Sequence, residues 1–195
     1  MEATAFDEAM ASFNSLVADV VVAAYDFASC GTVVDVGGGN GSLLAAILKS
    51  HLRLRGLVAD LPHVLDGAQR RLTAEGVAER CKIVAADFFK SLPKADTYLL
   101  KWIIHDWDDK SAERILRNCR TAMKADGRVL LVESIVQAHN GTSLAKFMDL
   151  AMLVMTGGRE RSEPEFQALL GRAGLRIANV ISTGTEVSLI EARCP

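Results

Sequence analysis

The segment His105-Asp106-Trp107-Asp108-Asp109 is the part of this chain best equipped for acid–base chemistry. A histidine titrates near neutrality and can take a proton from a substrate hydroxyl within hydrogen-bond reach. To do so it needs a carboxylate that fixes its tautomer and stabilises the imidazolium. Asp106, Glu133 and Glu160 are the candidates for that partner. The alternative is a structural histidine bonded to backbone, with Asp108 and Asp109 as helix-capping acids. His51, His63 and His139 lack a comparable setting. A second chemical feature is Val33-Val34-Asp35-Val36-Gly37-Gly38-Gly39-Asn40-Gly41, a valine-rich run feeding a glycine turn. Glycine lets backbone approach a ligand closely, and such turns build nucleoside sites in α/β proteins.

The glycine spacing narrows the ligand. Gly37, Gly39 and Gly41 read Asp-x-Gly-x-Gly-x-Gly, whereas a dinucleotide fingerprint needs its third glycine where Ser42 stands. The compact form suits a nucleoside bearing an amino-acid tail, as in S-adenosylmethionine. Asp60 lies about twenty residues on, where one βα unit returns to the sheet, so its carboxylate can accept both ribose hydroxyls; it can equally cap a helix starting at Pro62. Asp87-Phe88-Phe89 offers an acceptor for an adenine amino group beside an aromatic face, or simply core. Lys101 either answers the anionic parts of the cofactor or snorkels from a strand end.

These residues need elements to bring them together. Phe6, Met10, Phe13, Val17, Val20 and Ala24 recur at helical intervals and predict an opening amphipathic helix. Strand and helix patterns then alternate: strands over Thr32–Val36, Arg55–Ala59, Lys82–Ala85, Thr97–Leu100 and Arg128–Val132, the last after an Ala125-Asp126-Gly127 turn. Helices are predicted over Ser42–Lys49, from about Pro62, and over Ser111–Met123 and Leu144–Met155. Ser162 caps another helix, and Leu175–Ile181 and Glu186–Ala192 form a closing hairpin about Thr183-Gly184. Alternation of this kind predicts a mostly parallel seven-stranded sheet with helices on both faces. Each of the first five strands ends in a polar or glycine-rich feature, and parallel strands would gather all five on one rim, where α/β sheets bind ligands.

Composition agrees with one such domain. Half of the 195 residues are apolar, enough for a substantial core. A net charge of −2 argues against a nucleic-acid partner, and no apolar run approaches a membrane span. Cys30, Cys81, Cys119 and Cys194 are scattered, without zinc-ligand spacing, and read as buried free thiols in a reducing cytoplasm. No secretory signal is visible, and no metal-ligand cluster is expected.

Five strings occur in order: Val34–Gly41, Asp60-Leu61-Pro62-His63-Val64, Asp87-Phe88-Phe89, Leu100–Trp107 and Gly157-Gly158-Arg159-Glu160-Arg161. Together they resemble S-adenosylmethionine-dependent O-methyltransferases of the caffeic-acid and hydroxyindole type, including bacterial members that methylate small aromatic molecules. The resemblance implies a Rossmann-like class I methyltransferase fold. It implies cofactor contacts at Gly37, Asp60, Asp87, Phe88 and Lys101, and His105 as base between Glu133 and Glu160. It also implies an aromatic acceptor clamped by Met148 and Met152, with Phe6, Met10 and Phe13 lining the same pocket. On this resemblance residues 1–30 are a linker helix and 31–195 the catalytic domain. The family's N-terminal helical domain, which makes its homodimer, is then missing, and Ala86 stands where glycine is usual. The alternatives are a nicotinamide dehydrogenase, disfavoured by the glycine spacing and the Asp87-Phe88 pair, a methyltransferase for nitrogen, protein or nucleic acid, and a cofactor-binding relative without O-methylation.

Overall fold

The computed structural model describes residues 16–137 and 143–195. Phe6, Met10, Phe13 and His139 lie outside them. Seven strands form one sheet: β1 (Thr32–Val36), β2 (Arg55–Asp60), β3 (Cys81–Ala85), β4 (Ala95–Lys101), β5 (Met123–Ser134), β6 (Arg176–Ser182) and β7 (Val187–Arg193). Their spatial order is β3-β2-β1-β4-β5-β7-β6. The first five run parallel, while β7 is antiparallel to both β5 and β6. Valine dominates β1 because a central parallel strand is buried on both faces. Val33 enters one hydrophobic cluster, and Val34 and Val36 enter the other.

The helices are α1 (16–24), α2 (Ser42–Ser50), α3 (Ala68–Ala74), α4 (Asp109–Ala122), α5 (Leu144–Met155) and α6 (Glu163–Arg172). On one sheet face Val21 of α1, Leu44 and Leu48 of α2, and Leu72 of α3 cover Val33, Val58 and Leu99. On the other, Ile115 and Leu116 of α4 and Phe166 and Leu169 of α6 cover Tyr98, Leu100 and Leu131. Ser162 and Glu165 close a capping box that starts α6, as its sequence predicts.

Four expectations need adjusting. The buried face of α1 runs through Val17, Ala18 and Val21 and on to Tyr25, so Val20 and Ala24 are flanking residues. The segment after β2 begins as a 3-10 helix over Pro62–Gly67 before α3. Ala125-Asp126-Gly127 is a bulge within β5 and not a turn before it: Ala95 pairs with Met123, yet Thr97 pairs with Arg128. Gly127 makes the bulge possible, since a Cβ there would lie 2.8 Å from the Asp96 carbonyl oxygen. Cys30, Cys81 and Cys119 are buried free thiols, but Cys194 is only half-buried.

Candidate active site

The parallel strands deliver their carboxyl ends to one rim. Ladder bonds continue past them: Gly37 N–H donates to Ala59 O (2.8 Å), Ala86 N–H to Asp60 O (2.9 Å) and Trp102 N–H to Val132 O (3.1 Å). The loops after β1, β3 and β4 are thereby held to neighbouring strands. Gly37 takes a left-handed φ of +66°, and a Cβ there would meet Ile103 Cδ1 at 2.5 Å and Phe88 at 3.7 Å. So the glycine turn touches both the Asp87-Phe88 loop and the segment leading to His105. Lys101 lies within electrostatic reach of both Asp35 and Glu133: burial lowers its pKa, and those two charges oppose the shift. Burial in turn raises the Asp35 carboxyl to about 7, against the pull of Lys101.

His105 sits on a short 3-10 turn, Ile104–Asp106, just beyond β4. Its Nδ1–H donates to Glu160 Oε1 at 2.9 Å. Glu133 Oε2 is 3.8 Å from the same nitrogen, while Glu133 Oε1 accepts the Ile104 N–H at 2.9 Å. Asp106 lies 3.6 Å from Nε2. His105, Glu133 and Glu160 are all buried. Burial by itself would lower the imidazole pKa, but the Glu160 hydrogen bond and the surrounding carboxylates outweigh it and raise it to about 9. Burial also pushes Glu133 to about 7, opposed by His105 and reinforced by Glu160. Of the three candidate partners, Glu160 makes the hydrogen bond, Glu133 stands second and Asp106 faces the opposite nitrogen.

The trio corrects one expectation from the sequence. Its possible ligand atoms lie within 4.8 Å of one another, so a cluster with metal-binding potential does form here. Residues 28 and 27 positions apart in sequence meet only after the sheet closes, and linear spacing could not reveal it.

At the glycine turn, Asp60 Oδ2 accepts the Gly39 N–H at 2.9 Å and Oδ1 accepts the Leu61 N–H at 2.7 Å. It therefore ties β2 to the glycine loop, and the 3-10 helix at Pro62 starts without a side-chain cap. Asp87 Oδ1 accepts the Phe89 N–H at 2.9 Å, and that bond together with Lys90 holds its carboxyl below the usual range. Phe88 and Phe89 are both half-buried against the second core cluster. Each packs edge-on to Trp107, with ring centroids 6.2 and 4.7 Å apart.

Met152 is buried and Met148 half-buried, one turn apart on α5. The neighbouring Asp149 accepts the Glu160 N–H through Oδ1 at 2.9 Å, which places α5 beside the trio. Sequence reasoning assigned Asp149 no place in the site, and named Trp107 and Gly158 only within longer strings, without a role. A signal existed for Trp107, an aromatic two residues from the histidine. Asp149 on an apolar helix was a second one.

A family model described as an O-methyltransferase domain matches residues 1–176. The chain belongs to this O-methyltransferase family. Phenazine O-methyltransferase from Lysobacter antibioticus is 43% identical over 189 residues, which is 96% of this chain and 55% of that protein. Mitomycin biosynthesis 6-O-methyltransferase from Streptomyces lavendulae is 45% identical over 190 residues, 96% of this chain and 54% of that one. The chain thus spans about half the length of the curated relatives it matches. An O-methyltransferase of neocarzinostatin biosynthesis, solved with S-adenosyl-L-homocysteine and 1,4-dihydroxy-2-naphthoic acid, gives a TM-score of 0.88 at 38% identity, over 99% of this chain and 58% of that one. Membership of the O-methyltransferase family accounts for the class I fold and for the glycine turn at the end of β1.

Proposed function

We propose that this chain transfers a methyl group from S-adenosyl-L-methionine to a hydroxyl of a small aromatic molecule, with His105 as general base. One observation carries the reading: an imidazole oriented by Glu160 lies on the same sheet rim as a glycine turn flanked by Phe88 and Ile103. The cradle fits an adenosyl group. A Cβ at Gly39 would meet nothing within 4 Å, so the turn opens onto free space, Asp60 holds an acceptor at the loop, and Phe88 with Trp107 supplies aromatic surface. Gly37, Asp60, Asp87, Phe88 and Lys101 would hold the cofactor. When bound, the cofactor supplies a methyl group already activated on a sulfonium.

The remaining work belongs to the chain. Glu160 keeps the proton on Nδ1, so Nε2 is left to accept the hydroxyl proton of the acceptor. Glu133 adds negative charge that stabilises the imidazolium as it forms. Because Glu160 Oε1 is engaged with Nδ1, we read the trio as proton-handling machinery. Met148 and Met152 present soft, polarisable surface to the flat acceptor. Alignment of acceptor and donor supplies much of the acceleration.

Two substitutions separate the roles. In His105→Ala, turnover on a phenolic acceptor falls by roughly 10²–10⁴-fold while donor affinity by calorimetry stays near that of the parent. Asp60→Ala does the reverse, weakening donor binding roughly 10–100-fold. Equal loss of turnover and donor affinity in His105→Ala would make the histidine structural. Donor binding without methylation of any phenol would leave a cofactor-binding relative.

Residues 1–30 serve in this reading as a linker, which includes α1, and 31–195 as the catalytic domain. Two coarser expectations join it. A cytoplasmic setting suits the buried free thiols, and among the described residues no helix is long and apolar enough to cross a membrane. A homodimer suits α5, which exposes Phe147, Leu150, Leu153 and Val154.

A further inference from the structure

We propose that Arg161 is a positioning residue, a brace that holds the His105 turn in register with the Glu160 segment. This rests on the reading of His105 as the base and gives a role to a residue that reading leaves unused. Arg161 is only 1% exposed and ranks among the largest fully buried side chains. A buried guanidinium is costly unless its donors are met, and apolar replacements for buried charges are often more stable. Core filling alone is therefore a poor reason for an arginine here.

Its donors converge on one short stretch. One terminal nitrogen donates to Ile104 O (3.0 Å) and Arg159 O (3.3 Å), and the other to Trp107 O (2.8 Å) and Asp109 Oδ1 (2.9 Å). Nε donates to the same Asp109 oxygen at 3.1 Å. Ile104 and Trp107 bracket His105 and Asp106, so the guanidinium grips both ends of the turn that carries the imidazole. The surrounding backbone extends the grip. Arg159 N–H donates to His105 O (2.8 Å), and Val136 N–H donates to Arg161 O (3.0 Å) just beyond the end of β5, which carries Glu133. The planar fork of arginine matches this spread of acceptors, and a lysine ammonium does not.

Two variants test the brace: Arg161→Met preserves bulk, and Arg161→Lys preserves charge without the fork. Three measurements follow each: donor affinity, kcat and KM for a phenolic acceptor, and the pH titration of the His105 ring by NMR. The groups facing that ring are Glu160 and Glu133 at Nδ1 and Asp106 at Nε2. Arg161 acts on Glu133 electrostatically.

In both variants kcat is expected to fall about 100-fold, the scale of an ångström-size misplacement. Donor affinity holds, and the ring titrates at lower pH because its bond to Glu160 is loosened. An unchanged titration overturns the proposal. So does a loss of kcat in Arg161→Lys that is matched by loss of donor affinity. Should Arg161→Met fail to fold, Asp109→Asn weakens the grip from a half-exposed side chain and is expected to move the titration in the same direction. No movement there also overturns the brace. If the parent methylates no phenol, the proposed activity fails, while the NMR titration still decides the brace.

Discussion

His105 sits in a field that makes it a stronger base than a free imidazole. Its pKa is raised to about 9, with Glu160 hydrogen-bonded and Glu133 close by. In the role proposed for it the imidazole must be neutral to accept a proton, so below that value only a fraction of the protein would be competent. With saturating donor, kcat/KM is expected to climb about tenfold per pH unit from neutrality and level off near 9. A profile flat from pH about 6 upward would contradict the raised value. Stability moves the opposite way. An unfolded histidine titrates at about 6.5, so the stabilisation from this protonated ring is complete below that pH and is lost as pH rises through the folded value. Burial raises Glu133 to about 7, and its contribution has the same sign but is already lost by then. The melting temperature therefore falls between neutrality and pH about 9, and His105→Gln flattens that fall.

Between elements, the site depends on two close approaches. The first is the glycine turn against Ile103, which couples the loop after β1 to the segment after β4. The second is Gly158 against the His105 turn. A Cβ at Gly158 would overlap the His105 carbonyl oxygen and lie 2.8 Å from that of Asp106. Both are backbone atoms, so no side chain can swing aside. Gly158→Ala must push the segment 157–161 away from His105 and lengthen the Glu160 hydrogen bond. Overpacking of this kind costs about 1–3 kcal/mol. We expect a fall in melting temperature together with a loss of kcat, and donor affinity intact because the glycine loop proposed to hold the donor lies elsewhere on the rim. A variant with full activity would show that the two segments have room to separate.

Across the whole molecule, the helices are unequally buried. α1, α2, α3, α4 and α6 bury their apolar sides in two continuous clusters. α5 buries only Ala145 and Met152, while Phe147 is 67% and Val154 84% exposed. That helix also carries Asp149, which holds Glu160 in place. An apolar face of this extent favours association, and a second copy would shield the side of the molecule that bears Met148. Sedimentation velocity is expected to show a concentration-dependent dimer, and Leu153→Glu to shift it toward monomer with donor affinity retained. A parent chain that stays monomeric at every accessible concentration would rule out the homodimer.

Much of this was readable from residues alone. Valine runs and glycine turns marked the strands and the tight loop after β1, because burial on both faces and a left-handed φ each restrict the residue types allowed. The order of polar strand ends placed Asp60, Asp87, Lys101, His105 and Glu133 on one rim, since parallel strands all point the same way. Sequence left the partner of His105 open among Asp106, Glu133 and Glu160. The tertiary structure decided for Glu160, because which carboxylate reaches Nδ1 depends on how the segment after α5 returns to the end of β5. It likewise decided the role of Arg161, whose acceptors are mostly backbone carbonyls. Backbone carbonyls are the same in every residue, so their convergence on one guanidinium leaves no trace in the order of side chains.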